Sequence, residues 1–477
     1  MSYEGFARYM NSSDNHLFRK EHKKVYQDMS LPLTEYFISS SHNTYLMGDQ
    51  IFGQSHMFGY IRALKEGCRC VELDCWDGPH GEPVVCHGYT FTNMLLFRDI
   101  IGTISVHAFE ASPFPLILSL ENHCSPKQQK VMANCLKSIL GDLLLTAKVG
   151  NPDSEVLPSP EELKFKILIK NKKASQHRGP SQGPERQKQG GESQDENEDE
   201  EGTEDEEDPV WTSLENSSSK PMGVRAQKPS NRKPKDKKIT ICIELSDLVI
   251  YTKSEKFIDF EHSRDHQQYN ENNSLEERRA HKLLRRATME FIHHTNQFLT
   301  RIYPAGFRVG SSNYDPQEFW NVGCQMVALN FQTHGVPMDL QNGKFQDNGG
   351  CGYILKPDCL RKDLCDFNPY EIRFKYRPVR LTIKVISAYQ LPRRKGFKQY
   401  NLKATVEIYG VPCDNAKNEM QIKRTDVFNP SWNTRLTFMV RIPALALVRF
   451  RVEEHAHRFG KDFLGQNTIP FTSLSKG

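Results

Sequence analysis

Cys70-Val-Glu72-Leu-Asp74 ends an apolar run with two carboxylates two residues apart. Side chains two apart on a strand share one face, so an extended reading brings Glu72 and Asp74 together. Three more stretches have the same texture: Tyr36-Phe-Ile-Ser-Ser-Ser-His42-Asn43, Val84-Val-Cys-His87-Gly88-Tyr89 and Leu116-Ile-Leu-Ser-Leu-Glu121-Asn122-His123. Each passes from an apolar run to polar groups at its C-terminal end. Strands are read over 35–41, 69–75, 83–87, 115–121 and 164–170. Helical spacing lies between them, as over Ser125 to Leu145, which opens Ser-Pro. Such alternation predicts a parallel sheet or barrel.

From Ala174 to about Lys238 the periodicity collapses. Glu192–Asp208 is a dense acidic block and Arg225–Lys238 a basic one. This composition predicts a disordered linker over 175–238. Solvation alone accounts for such runs. The functional alternatives are shielding of a cationic mouth by the acidic block, attraction of the basic block to anionic lipid, and nuclear or perinuclear targeting.

Order is expected again from Ile239. Ile241–Tyr251 reads as a strand ending in a loop, Leu275–Ile302 as a helix, Cys324–Phe331 as a buried strand, and Gly349–Tyr353 as a turn before another. Neither flank alone has the strands for an eight-stranded barrel, whereas together they come close. After about Tyr376 short β runs appear: Leu381–Ala388, Leu402–Tyr409, Leu436–Arg441, Val448–Val452 and Phe463–Ile469. Their spacing predicts a β-sandwich.

The chain has 477 residues, 37% hydrophobic, with a net charge of +4 and twelve cysteines. Mean hydropathy is −0.63, depressed by the polar middle. The length suits two or three domains. No apolar run approaches the roughly 20 residues that span a bilayer, and the N-terminus carries no secretory pattern. The cysteines form no CxxC pair, which predicts reduced, buried thiols in a cytoplasmic protein whose membrane contact is peripheral.

SSSHNTYL, GCRCVELDCWDGP, HGYTFT and LSLENHC resemble the X half of phosphoinositide-specific phospholipase C. ELSDLVIYTKS, RIYPAG, FWNVGCQMVALNFQT and NGGCGYILKP resemble its Y half, and the β tail resembles its C2 domain. Delta and zeta types are nearest, with a lean toward the sperm-type zeta branch. The resemblance implies a split TIM-like α/β barrel and an all-β C2 sandwich. Its boundaries are an EF-hand remnant at 1–30, the X half at 31–174, the linker at 175–238, the Y half at 239–376 and the C2 domain at 377–477. The expected stretch before EGFARYM and the strands after FTSLSKG have no counterpart here.

The implied activity is Ca²⁺-dependent hydrolysis of phosphatidylinositol 4,5-bisphosphate to inositol trisphosphate and diacylglycerol through a cyclic phosphate. Calcium signalling would follow, and egg activation on the zeta reading. Asn43, Glu72, Asp74 and Glu121 are the implied Ca²⁺ ligands, an all-oxygen set that suits a hard cation. Glu72 or Glu121 is the base. His42 stabilises the phosphoryl group, and His87 serves as acid and then base, a role for which imidazole is suited. His123 has no match and is left structural. Lys170 and Lys172 are assigned to the ring phosphates, with Ser274, Arg301 and Tyr303 completing the head-group site. Ile51, Tyr89, Phe91 and Phe307 form the membrane rim, where His281 stands in place of an aliphatic residue.

In the tail, Asn401 stands near an expected Asp and Ala456 replaces a carboxylate. No strong calcium site is expected there, although the cationic loop Arg393–Lys398 suits acidic lipid. The expected partners are Ca²⁺ and membrane phosphoinositide, with the chain a monomer. Nucleic acid is excluded, since the basic block has no interleaved aromatics. The competing reading is a catalytically weak, phosphoinositide-binding regulatory protein.

Overall fold

The structure is a computed structural model that describes residues 2–10, 12, 15–151, 153–174, 240–362, 367–372, 376–392, 400–425, 429–456 and 460–475. The linker expected over 175–238, with both charged blocks, lies outside the described residues, as do Arg393–Lys398 and His457. The flanks of the linker, Met1–Ala174 and Ile239–Gly477, form one compact unit.

Among the described residues twelve strands build the first part: β1 Tyr36–Ile38, β2 Ser40–Ser41, β3 Cys70–Trp76, β4 Val84–Val85, β5 Leu95–Leu96, β6 Leu116–Asn122, β7 Ile167–Lys170, β8 Lys253–Glu255, β9 Glu271–Glu276, β10 Leu299–Tyr303, β11 Met326–Leu329 and β12 Tyr353–Leu355. Eight of them run parallel in the order β7-β6-β3-β2-β11-β10-β9-β8. A parallel bridge between Asn171 and Lys253 joins the two ends and closes the ring. Four strands come from each side of the linker, so the barrel has two joints: β7 against β8 and β2 against β11. β1 pairs antiparallel with β12 outside this ring.

Helices cover the ring through apolar stripes. Phe97–His107 buries Phe97, Ile100, Ile101 and Ile104, and Pro126–Leu140 buries Met132, Ala133, Leu136 and Leu140. These are the i, i+3, i+4 spacings of a helix facing a sheet.

Two expectations are corrected. Ile241–Tyr251 is a short helix, Ile243–Ser246, followed by turns, and the strand β8 comes later. Leu245, Leu248 and Val249 are buried at helical spacing, so period 3.6 overrode the β-branched composition. Leu275–Ile302 is the end of β9, then helices Glu277–Arg286 and Thr288–Gln297, then β10. β9 reads as polar (ENNSLE) because its amides replace apolar packing: Asn272 Nδ2 donates to Lys253 O (2.9 Å) and Asn273 Nδ2 to Glu255 O (3.1 Å).

The tail comprises β13 Val379–Ser387, β14 Tyr400–Tyr409, β15 Ala416–Thr425, β16 Ser431–Val440, β17 Leu447–Ala456 and β18 Gly460–Pro470. β13 pairs with β16, and the other four run β15-β14-β17-β18. β15 (AKNEMQIKRT) was missed because its alternation is almost entirely polar. Val411, Ile442, Leu445 and Leu447 join the same apolar cluster as the barrel residues. Arg449 bridges the two parts, reaching Asp339 Oδ2 (2.8 Å) and Glu407 Oε2 (2.5 Å).

Candidate active site

Parallel barrels gather functional groups at the C-terminal ends of their strands, and the candidate residues of this one stand at or near those ends. Register sets the carboxylates: Glu72 on β3 lies opposite Ser119 of β6, and Asp74 opposite Glu121. Oxygens of Glu72, Asp74 and Glu121 all lie within 4.8 Å of one another. Asn43, just beyond β2, has φ 39°, the left-handed region. Its main-chain N–H donates to Glu72 Oε2 (2.9 Å) and its Nδ2 to Gln50 Oε1 (2.9 Å). These bonds use the nitrogens of Asn43 and leave its Oδ1 available to a cation.

Three negative groups this close perturb one another. Burial, with Glu121 and Glu72 beside it, pushes the Asp74 carboxyl well above the usual carboxylate range. Asp74 Oδ2 accepts from Tyr45 Oη (2.6 Å), while the buried Oδ1 has no hydrogen-bond partner. Glu121 is held below its ordinary value, first by the bond from His123 Nε2 (2.9 Å). A buried orphan oxygen beside two more carboxylates and an amide oxygen is a donor set that fits Ca²⁺.

His42 stands beside this cluster, and His87 is tied to it through Gln50. His42 follows β2 and its Nδ1 meets Asn330 Oδ1 at 2.9 Å. Burial lowers its pKa, against the opposing pull of Glu72. His87 follows β4, with Nδ1 2.6 Å from Gln50 O.

Cations stand on β7 and β10, with Ser274 of β9 beside them. Lys170 is buried, and burial together with Arg301 pulls its pKa down to about 8. Arg301 sits opposite Ser274 of β9. Its Nη2 lies 2.7 Å from Glu72 Oε2, and its guanidinium stacks over Tyr303 at 5.6 Å. Arg301 Nε and Ser274 Oγ are buried without partners, as suits groups awaiting an anion. Lys172 stands apart from these, exposed past the end of β7.

At the rim, Tyr89 is 91% exposed, Phe91 79% and Phe307 58%. Phe307 lies under two guanidiniums, Arg278 at 5.3 Å and Arg308 at 5.2 Å. Ile51 is half-buried. Its neighbour Phe52 is the exposed one and stacks on Phe91 at 5.3 Å. His281 is turned inward, on Glu318 (3.0 Å) and the Phe319 ring.

The chain matches the models of the phosphatidylinositol-specific phospholipase C X domain over residues 29–173, the Y domain over 245–359 and the C2 domain over 379–477. It is 49% identical to mouse 1-phosphatidylinositol 4,5-bisphosphate phosphodiesterase zeta-1, over the whole of this chain and 75% of the relative. This chain belongs to the phosphatidylinositol-specific phospholipase C family. The human zeta-1 relative is 50% identical over all of this chain and 74% of its own length. The delta-4 relative of Xenopus laevis is 46% identical, with 61% of its length covered. Among solved structures, S. officinalis PLC21 superposes with a TM-score of 0.80 at 33% identity, over all of this chain and 56% of that one. The family's split α/β barrel and C2 sandwich are thus the fold of this chain.

Sequence reasoning passed over Tyr45, Gln50, Asn330 and Phe52 and left His123 structural. None carries a pattern of its own. His123 had one available signal, its place two residues after Glu121. In the structure it holds that carboxylate and stacks on Trp76 at 4.0 Å.

Among the described residues the cysteines are free thiols. No described helix is long and apolar enough to cross a membrane. In the tail, Glu453 is paired with Lys403 (3.0 Å) and Arg451 (2.6 Å).

Proposed function

We propose that this protein is a Ca²⁺-dependent phosphodiesterase that cleaves phosphatidylinositol 4,5-bisphosphate to inositol 1,4,5-trisphosphate and diacylglycerol. The observation that carries this reading is an oxygen-only cluster with His42 and a buried Lys–Arg pair beside it and His87 joined to it through Gln50. The named activity of the zeta and delta relatives agrees with it.

Asn43, Glu72, Asp74 and Glu121 would hold the ion. An ion held there would supply Lewis-acid charge that lowers the pKa of the inositol 2-hydroxyl and offsets negative charge on the phosphoryl oxygens. A carboxylate of the pair Glu72 and Glu121 takes the hydroxyl proton. His42, with its Nδ1–H on Asn330, takes a second proton at Nε2 and donates from there toward a phosphoryl oxygen as charge builds. His87 delivers a proton to the departing glycerol oxygen, then takes one from the water that opens the cyclic phosphate. Lys170 and Arg301 receive the ring phosphates with charge-assisted bonds, Ser274 adds a hydroxyl, Lys172 approaches from the rim, and Tyr303 packs on the ring.

Phe52, Tyr89, Phe91 and Phe307 form an aromatic rim that enters the lipid surface, so that membrane contact is peripheral. The ion pairs around Glu453 support the reading that the C2 domain lacks a strong calcium site. The cationic stretch Arg393–Lys398 would offer acidic lipid a second contact. The chain acts as a cytoplasmic monomer, with the basic linker block as a route to perinuclear or nuclear membranes. Egg activation is the physiological setting that kinship with the zeta type suggests.

Purified protein should release inositol trisphosphate from vesicles containing the bisphosphorylated lipid as Ca²⁺ is titrated. His42→Ala and His87→Ala should abolish release. Vesicle binding without release, under conditions where a zeta-type relative turns over, would leave a lipid-binding regulatory protein instead.

A further inference from the structure

Gln50 belongs to the loop after Asn43 and is 7% exposed. Every polar group it has is used. Its N–H donates to Val309 O (2.7 Å) and its carbonyl accepts from His87 Nδ1 (2.6 Å). Its Oε1 accepts from Asn43 Nδ2 (2.9 Å). Its Nε2 donates to Ser311 Oγ (2.9 Å) and to Asn330 Oδ1 (3.3 Å). Asn330 Oδ1 also receives His42 Nδ1 at 2.9 Å. One residue of the X half thus touches three Y-half residues and the supports of both histidines.

The direction of each bond is fixed from outside. Ser311 Oγ donates to Gly48 O (2.7 Å), and Asn330 Nδ2 donates to Ser312 O (3.1 Å). Main-chain carbonyls only accept. Ser311 Oγ and Asn330 Oδ1 must therefore be acceptors toward Gln50, which sets its amide with nitrogen on their side and oxygen on the side of Asn43. Asn43 then spends its nitrogen on Gln50 and keeps Oδ1 for a cation. His42 and His87 each face an acceptor through Nδ1, so both carry hydrogen there and present Nε2 to the pocket. Two of the residues Gln50 grips, Asn43 (φ 39°) and Ser311 (φ 58°), hold left-handed backbone. Such strain persists where surrounding contacts over-determine it.

We propose that Gln50 is a positioning residue of the reaction, which sets the orientation of His42, His87 and the Asn43 amide across the joint between the barrel halves. The proposal rests on the function given above. Gln50 touches neither the reacting atoms nor the ion, so its effect passes through the residues it holds.

Gln50→Met keeps the side-chain length and the main-chain carbonyl on His87, but removes the amide bonds. Loss of an outer support of this kind costs about 10- to 100-fold in activity or metal affinity. On vesicles its kcat should fall by that order while KM for lipid holds within about twofold. Calorimetry of chelator-stripped protein with Ca²⁺ alone should show affinity weakened about tenfold. Gln50→Glu keeps an oxygen toward Asn43 and sets the other against Ser311 Oγ and Asn330 Oδ1. Its kcat should fall while Ca²⁺ affinity is retained.

Wild-type kcat and Ca²⁺ affinity in Gln50→Met would overturn the proposal, as would a kcat loss matched by an equal loss of folded protein. If Gln50→Met does not fold, wild-type kcat in Gln50→Glu overturns it. Should the unmutated protein release no inositol phosphate, the functional reading fails, and the Ca²⁺ calorimetry still decides the role of Gln50.

Discussion

Replacing Gly88 by alanine tests how tightly the two sides of the site are joined. A Cβ at Gly88 would stand 2.0 Å from Trp76 Cζ2, 2.6 Å from Cε2 and 2.7 Å from Cη2. Carbon atoms rest about 3.5–4.0 Å apart, so ring and loop must separate by about 1.5–2 Å. Neither side is free to yield. The loop is held at His87 by Gln50 O, and by Thr90 Oγ1 donating to His87 O (2.7 Å). The indole is stacked on His123 at 4.0 Å and set edge-on to Tyr89 at 5.3 Å. Overpacking of this kind costs about 1–3 kcal/mol. The larger effect falls on the chemistry, because the movement reaches either His87 or, through His123, Glu121. A misplacement of about 1 Å costs on the order of 100-fold in rate. Initial rates of inositol trisphosphate release from vesicles, alongside thermal melts, measure both terms. Trp76→Phe removes the ring atoms that clash, so in that background Gly88→Ala should cost less than about threefold, the coupling expected of residues in contact. An unchanged rate in Gly88→Ala, or the same loss with and without Trp76→Phe, refutes the reasoning.

Arg449→Met should destabilise the folded unit by about 3 kcal/mol, since it takes the nearer cation from Asp339 and from the buried Glu407, which keeps only Lys417 at 3.9 Å. A melting temperature within 1 °C or so of wild type would contradict this. Lys170→Met should slow turnover of the bisphosphorylated lipid about 10- to 100-fold, the worth of a charge-assisted bond. Unphosphorylated phosphatidylinositol should be far less affected, and equal losses on both lipids would remove Lys170 from the ring-phosphate site. Asp74 gives a pH dependence. Its carboxyl is raised by burial and by Glu121 and Glu72, so it favours the fold at low pH, and that contribution fades as pH rises through the raised value. In chelator the melting temperature should fall over that rise, and Ca²⁺ binding below it should release a proton. Calorimetry in two buffers of different protonation enthalpy reads that proton, and none released would place Asp74 outside the ion site.

Much of the site was legible because its residues close apolar runs. Glu72 and Asp74 share a face by strand period, and Lys170 ends the run KFKILIK. Where polar side chains do the packing, the signal failed: Asn272 and Asn273 made β9 look unlike a strand, and β15 was too polar to notice. Phe52 escaped notice beside Ile51, since both are apolar and nothing in the sequence tells that Phe52 is the more exposed of the two. Gln50 and Asn330 are ordinary amides until 280 residues of separation are folded away.

Local pattern marked the apolar strands β3, β6, β7 and β11 and the groups at their ends, because period and composition act over a few residues. Closure was decided only in three dimensions. The bridge from Asn171 to Lys253 and the pairing of β2 with β11 bring together residues from both sides of the linker. Hydrogen bonds such as those of Gln50 depend on that register and on no neighbour in sequence, so nothing in the linear pattern marks them.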